Sequence, residues 1–417
     1  VSQTAADRVL NVHPSRGSLL GEEEAAAVIE VLRSDAPLSM GPVREEFELA
    51  FARHVGAAHA LTVTSGTVAL EFAIRLLDLR AGDEVVVTPQ TYHATAQPLL
   101  ATGATVRFCD VAPDSLNMDP DVLETLVNER TKAVILVHYG GNPADMDRIA
   151  AIAAAHGALV VEDCAHALGA EYRGRRPGSL ADLSCFSFQA SKNITTLGEG
   201  GMVCTPSAEL ARRIDRIRSN AVDGSFTPAV LREAPAALPW MAYSDYAYEE
   251  DCTALRGSGT NAALSEVACA VGLVQLGRLP EFVARRRAIA AELDDVCRRF
   301  GAVPLTAAAG SVHPYHLYTA LVPGEGRRDR VLDALDRTGT PAQLRYHPVH
   351  LLPEWRLRGH REGECPVAER LWFGEHLNLP CHPALTDAQV ELVCANLGAA
   401  LSGQDFTAHR EKEPSCP

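Results

Sequence analysis

The stretch Ser187–Gly201, SFQASKNITTLGEGG, sets a single lysine just behind a short apolar run and surrounds it with small and polar residues. Most lysines are solvated surface groups. One aimed into a cleft at the end of a buried strand behaves differently, because desolvation lowers its pKa and makes the amine a nucleophile toward a carbonyl. Gly198, Gly200 and Gly201 would let backbone pass close to whatever that cleft holds. The apolar run reads as a strand, Ser184–Phe188, and a second strand, Met202–Cys204, follows with little between them.

Upstream, short apolar runs alternate with helical patterns. Strands are expected at Ala60–Val63, Glu84–Val87, Thr105–Asp110, Ala133–Val137 and Leu159–Glu162, with helical stretches between them. In Gly66–Leu77, Val68, Leu70, Ala73 and Leu77 recur at three- or four-residue intervals. Asp121–Val127 has Asp119 as an N-cap and Pro120 in its first turn. The alternation predicts an α/β fold, a mostly parallel sheet covered by helices on both faces, with ligands at the carboxyl ends of the strands. The last two strands predict a different arrangement at the sheet edge.

Downstream, periodicity fades from Ala221 to Gly259, a stretch with Pro228, Pro235 and Pro239 that reads as an irregular excursion over a site mouth. A long helix from about Leu264 to Phe300, broken near Pro280, leads into strand signals at Tyr315–Val322 and helices at Arg328–Arg337 and Asp387–Leu401. The expected division is a large domain over 1–262, a smaller α+β domain over 263–403, and a disordered tail over 404–417.

Two further segments carry chemistry. In Val160–Ala170, VVEDCAHALGA, an apolar strand ends in Glu162-Asp163 and so brings a carboxylate to the sheet's carboxyl edge. A buried lone Asp is costly unless paired; it either caps the next turn or faces a protonated ring nitrogen of a bound cofactor. In Thr62–Leu70, TVTSGTVAL, a strand runs through Ser65-Gly66-Thr67 into a helix whose first N–H groups and dipole suit a phosphate, although ordinary capping uses the same pattern.

Composition narrows the classes. The 417 residues include 47% hydrophobic and 22% charged residues with a formal net charge of −15, ordinary for a globular protein and unsuited to broad nucleic-acid binding. No run approaches the ~20 uninterrupted apolar residues that cross a bilayer, and the polar start, Val1–Gly17, lacks a signal peptide's apolar core. The 11 cysteines form no Cys-x-x-Cys pair and read as reduced cytoplasmic thiols; Cys109, Cys164, Cys185 and Cys204 fall in or beside expected strands, where packing is the default role.

Together, and in this order, the three motifs resemble fold-type I pyridoxal-phosphate (PLP) enzymes, and more closely the DegT/StrS-like family of sugar aminotransferases. The resemblance runs from about Leu38 to Thr386. It implies that Lys192 holds PLP as a Schiff base, that Asp163 faces the ring nitrogen, that Tyr92 stacks on the ring and that His166 lies near its phenolic oxygen. It assigns the phosphate to Gly66, Thr67 and Ser187, with Asn261 reaching it from a second subunit of a homodimer. Thr260 and Ala263 stand where the family often has Tyr and Arg, so neighbouring substrate contacts differ. RYHPVH implies substrate contacts from Arg345, Tyr346 and His350. His313, His316, His347 and His350 lack the Cys or carboxylate spacing of a metal site, and no metal is expected.

The implied reaction moves an amino group from glutamate or glutamine to the keto group of a nucleotide-linked sugar. A keto-cyclitol of the scyllo-inosose type is the alternative, carried by Phe188–Lys192, EDCAHALG and the LSE after Asn261. A related sugar dehydratase has His in place of the lysine, which Lys192 opposes. A non-catalytic regulator is opposed by the joint presence of Tyr92, Asp163, Ser187 and Lys192.

Overall fold

The computed structural model describes residues 16–219 and 259–403, together with the backbone pairing of 223–226 with 252–257. The rest of the Ala221–Gly259 excursion, the first 15 residues and the 404–417 tail lie outside the described residues.

Seven strands form the main sheet: β1 (His59–Val63), β2 (Glu84–Val87), β3 (Thr105–Phe108), β4 (Thr131–Val137), β5 (Leu159–Asp163), β6 (Leu183–Ser187) and β7 (Gly201–Thr205). Their spatial order is β1-β7-β6-β5-β4-β2-β3. The pairs from β3 to β6 are parallel, while β7 runs antiparallel to both β6 and β1. The α/β expectation is borne out. The antiparallel strand, however, lies one position in from the edge. Being fully buried, β7 needs neighbours on both sides for its backbone groups, and β1 supplies the second.

Helices α1 (Glu22–Arg33), α2 (Pro42–Val55), α3 (Gly66–Leu76), α4 (Pro120–Leu126), α5 (Met146–Ala155) and α6 (Ala208–Arg218) surround the sheet. Between β2 and β3 the expected helix is replaced by two 3₁₀ turns, His93–Thr95 and Gln97–Ala101. Pro89 and Pro98 cannot donate to a helical ladder, and what remains is too short for a stable α-helix. These turns carry Thr91, Tyr92 and Thr95 to the carboxyl end of the sheet.

The helix α7 (Glu266–Arg299) runs through Pro280 as one 34-residue element, against the expected break. A proline inside a helix costs about 3 kcal/mol, but Leu279 and Phe282 on either side are 1% and 0% exposed, and their burial offsets it. By length and apolar content alone α7 could also cross a membrane, yet half of its most apolar window is buried inside the protein, as in a core helix. Its first half packs with Phe47, Phe51, Phe186 and Phe188 against the sheet. Its last turns, Ile289 to Cys297, join a separate apolar cluster. That cluster holds the antiparallel strands β8 (Val303–Pro304), β9 (Tyr318–Leu321) and β10 (His376–Leu379), with helices α8 (Arg327–Arg337) and α10 (Asp387–Ser402). Between them, Val349, Trp355 and α9 (Pro366–Gly374) pack back onto the core of the main sheet. This return places the Arg345–Tyr346 segment over the carboxyl ends of the strands.

Candidate active site

The ends of β1, β5 and β6, the turn after β2 and the Arg345–Tyr346 segment enclose a cavity of about 380 Å³. A larger recess of about 780 Å³ lies along the β3 edge beside Trp355 and Arg358, away from the residues singled out by sequence. The smaller cavity is the one that gathers them.

At one end the chain turns from β1 into α3. Ser65 caps the helix, its Oγ accepting from Val68 N at 3.2 Å, so Gly66 and Thr67 present the helix N-terminus to the cavity. Gly66 fits because there is no room for a side chain: a Cβ there would stand 2.7 Å from the Ser187 Cβ. Ser187, half-buried at the end of β6, thus lies against the same helix start. Free N–H groups, two hydroxyls and the positive end of an 11-residue helix make a cradle for a phosphate.

Across the cavity Asp163, at the end of β5, is 4% exposed. Its Oδ1 accepts from Ala165 N at 2.9 Å and its Oδ2 from Thr95 Oγ1 at 2.7 Å. Burial nevertheless holds its carboxyl above the usual range, with those hydrogen bonds opposing the shift. The carboxylate is stabilised by neutral donors and has room for a cationic one. Beside it, Glu162 turns to the other face of the strand, where it meets His138 Nε2 at 2.9 Å, Gly178 N at 2.7 Å and Ser184 Oγ at 2.5 Å.

Lys192 lies in the loop between β6 and β7, half-buried, its backbone N–H bonded to Gln189 O at 2.8 Å. Burial pulls its ammonium down from 10.5 to about 8; Asp163 opposes the shift and the charge of Arg345 adds to it. The amine therefore spends a large share of its time neutral near pH 8, the state in which it attacks a carbonyl.

Aromatic and imidazole groups complete the walls. Tyr92 is 47% exposed, with its ring 5.7 Å from that of Tyr346. His166 stacks on His316 at 4.4 Å and meets the Tyr346 hydroxyl at 3.3 Å through Nε2. Arg345 and Tyr346 line the cavity; Gln90 Nε2 donates to both of their carbonyls, at 3.2 and 3.0 Å.

Two of the residues named from sequence stand elsewhere. His350 is fully buried against Phe108 with its Nε2 2.9 Å from Glu369 Oε1, so it does not line this cavity. Asn261 is exposed beside Arg218 and Ser219, outside its own chain's cavity. The remaining histidines disperse: His313 Nδ1 accepts from Tyr315 N, and His347 packs edge-on to Trp372. Sequence reading passed over Thr91, Thr95, Gln189 and Glu199, all of which adjoin Asp163 or the cavity. Thr91 and Thr95 flank Tyr92, and threonines in a turn give no separate signal in the sequence.

Residues 18–398 match the model of the DegT/DnrJ/EryC1/StrS aminotransferase family. The chain belongs to this family. It is 34% identical over 388 residues to GDP-perosamine synthase of Caulobacter vibrioides, covering 92% of this chain and 96% of that protein. It is 35% identical over 372 residues to dTDP-3-amino-3,4,6-trideoxy-alpha-D-glucose transaminase of Streptomyces venezuelae, covering 89% and 90%. Among solved structures, the aminotransferase TlmJ of Streptoalloteichus hindustanus superimposes with a TM-score of 0.81 at 34% identity over 94% of this chain and 99% of that one. Spr1654 of Streptococcus pneumoniae, solved in its PLP form, does so with 0.80 at 26% identity over 94% and 98%. The protein is a PLP-dependent aminotransferase. A phosphate cradle, a buried acid with room for a cation and a lysine of lowered pKa on one cavity fit that cofactor.

Proposed function

We propose that this DegT/StrS-type aminotransferase moves an amino group from glutamate or glutamine to the keto group of a nucleotide-linked sugar, in the reducing interior of the cell. The observation that carries the reading of the site is the meeting of Lys192, Asp163 and the α3 N-terminus on one cavity. The relatives named for GDP- and dTDP-sugars, matched over nearly their whole lengths, support the substrate class. A keto-cyclitol is the second reading and rests on the Phe188–Lys192 and EDCAHALG stretches.

In this proposal Lys192 holds the cofactor through Nζ, Gly66, Thr67 and Ser187 take its phosphate, and Asp163 takes its ring nitrogen. Tyr92 covers one face of the ring and His166 attends its phenolic oxygen. Bound PLP condenses with amines at its carbonyl carbon and takes up the electron pair left when a neighbouring C–H bond breaks. The chain's own residues do the rest. Asp163 keeps the ring nitrogen protonated, which makes the ring a better electron acceptor. Lys192 Nζ, once displaced by the donor, carries the proton removed from the donor's α-carbon. Arg345 and Tyr346 border the space left for the two substrates. Asn261 of one subunit serves the cofactor phosphate of the other in a homodimer, which would explain its place outside its own cavity.

The test is a two-sided screen. Glutamate, glutamine and other amino acids are each mixed with the PLP-loaded enzyme, and formation of the amine form is followed by absorbance. Keto sugars linked to a nucleotide, keto-cyclitols and simple α-keto acids are then offered to that amine form. Turnover confined to simple α-keto acids would overturn the proposal.

A further inference from the structure

Asp163 is held by a chain of hydroxyls that no motif reading separates from the surrounding turn. Thr95 is 0% exposed and Thr91 1%. Thr95 Oγ1 lies 2.7 Å from Asp163 Oδ2, and Thr91 Oγ1 lies 2.6 Å from Thr95 Oγ1. Each hydroxyl has one proton to give. An ionised Asp163 only accepts, so Thr95 donates to it, and the Thr91–Thr95 contact is then made by Thr91 donating to Thr95. The order is fixed from the turn inward: Thr91 to Thr95 to carboxylate.

A neutral Asp163 carrying its proton on Oδ2 would reverse the chain. Asp163 would donate to Thr95, Thr95 to Thr91, and the Thr91 proton would then need an acceptor. Among the described residues, the hydrogen bonds of this turn offer it none besides Thr95. The ionised carboxyl, by contrast, keeps both contacts and makes the Thr95 bond a charge-assisted one, stronger than a bond between neutral groups, so the chain favours the ionised state. Burial pushes Asp163 the other way, and the two hydroxyls and Ala165 N work against it.

We infer that Thr95, backed by Thr91, is a positioning residue for the transamination, holding Asp163 ionised and aimed so that it keeps the cofactor's ring nitrogen protonated. This rests on the proposed pairing of Asp163 with that nitrogen. Thr95 acts through Asp163 and touches neither substrate nor cofactor in this account. The residue is placed by the 3₁₀ turn that replaces a helix between β2 and β3, a turn that brings both hydroxyls to the end of β5.

The experiment compares Thr95→Val, Thr95→Ser and Asp163→Asn enzymes loaded with ¹⁵N-labelled PLP. Valine keeps the shape and removes the hydroxyl; serine keeps the hydroxyl. The ¹⁵N shift reports the protonation of the ring nitrogen, and kcat and KM are measured beside it. Thr95→Val is expected to move the ¹⁵N signal toward the unprotonated position and lower kcat by about tenfold or more, the scale of one hydrogen bond to a charged group. KM for the keto substrate should change much less, and Thr95→Ser should restore most of both signals. If Thr95→Val destabilises the protein, Thr95→Ser combined with Thr91→Val reads the same hydroxyl chain from its outer end: the signal should again move, less far, and an unmoved signal would overturn the inference. A Thr95→Val enzyme with the wild-type ¹⁵N signal and kcat would overturn the inference. If Asp163→Asn also leaves the ¹⁵N signal in place, the underlying pairing fails; if only Thr95→Val does, the pairing stands and the role of Thr95 falls.

Discussion

Lys192 and Asp163 owe their chemistry to where the chain buries them. Lys192 is half-buried, and burial draws its ammonium down to about 8. In the cofactor-free protein, the rate of PLP attachment should therefore rise with pH up to about 8 and level off above it, because the neutral amine is the reacting form and its pKa is lowered. A lysine at its ordinary 10.5 would still be gaining rate at pH 10; a stopped-flow series across that range decides it. Lys192→Ala should lose more than about a thousandfold in turnover with circular dichroism unchanged, since both anchor and proton carrier are gone. Asp163→Ala should lose about a hundredfold and bind PLP more weakly; a near-normal rate would sink the pairing with the ring nitrogen. These residues were legible in the sequence because Asp163 ends a recognisable strand and Lys192 stands in the short loop after the next one, among small and polar residues. His350 was misplaced for the converse reason: the RYHPVH stretch has no period, and nothing in it reveals that Glu369, on a later helix, takes the imidazole. Thr91 and Thr95 were invisible as a pair because their connection is made through a turn that follows no helical or strand spacing.

Among the elements, strands and helices with clear periodicity were found within a residue or two of their ends, as at Glu84–Val87 and Gly66–Leu76. The failures came at Pro280, where tertiary contacts outweighed the local rule, and in the β2–β3 connection, where Pro89 and Pro98 leave too short a stretch for a helix. Pro280 is exposed, and the helix continues past it. Pro280→Ala should restore a backbone donor without disturbing any buried side chain, and raise stability by about 1–3 kcal/mol in a denaturant titration; a loss of stability would show that the proline itself is needed there. At the start of the same helix, Glu266 is 1% exposed and accepts from Gly41 N, Val43 N and Arg44 N at 2.8, 2.8 and 3.2 Å. A carboxylate from α7 therefore caps α2, a long-range cap that no local motif announces. Glu266→Ala should lower stability by about 2–4 kcal/mol, leaving three buried or half-buried donors unmet. A change under about 0.5 kcal/mol would mean that water replaces the cap.

On the scale of the whole molecule, the sheet fixes the cavity and the Arg345–Tyr346 segment closes over it, held there by the packing of Val349, Trp355 and Leu371 onto the core of the main sheet. The exposed Asn261 gives the proposed dimer its own test. Lys192→Ala and Asn261→Ala chains, each inactive or nearly so, are mixed under subunit exchange. Shared sites predict that half of the sites in a mixed dimer carry both defects and the others neither, so activity reappears. Verified heterodimers that stay inactive would contradict the shared site.

The most direct test of the central claim uses a property of this chain: it contains only three lysines, Lys132, Lys192 and Lys412. Lys132 lies on β4 with its side chain half exposed beside Asp83. The PLP-loaded protein is reduced with borohydride, digested, and its peptides are weighed by mass spectrometry. The account predicts the added mass of the reduced cofactor on the peptide containing Lys192 alone. A cofactor mass on Lys132 or Lys412 in its place, or an unmodified Lys192 in protein whose visible absorbance has been bleached by the reductant, would contradict it.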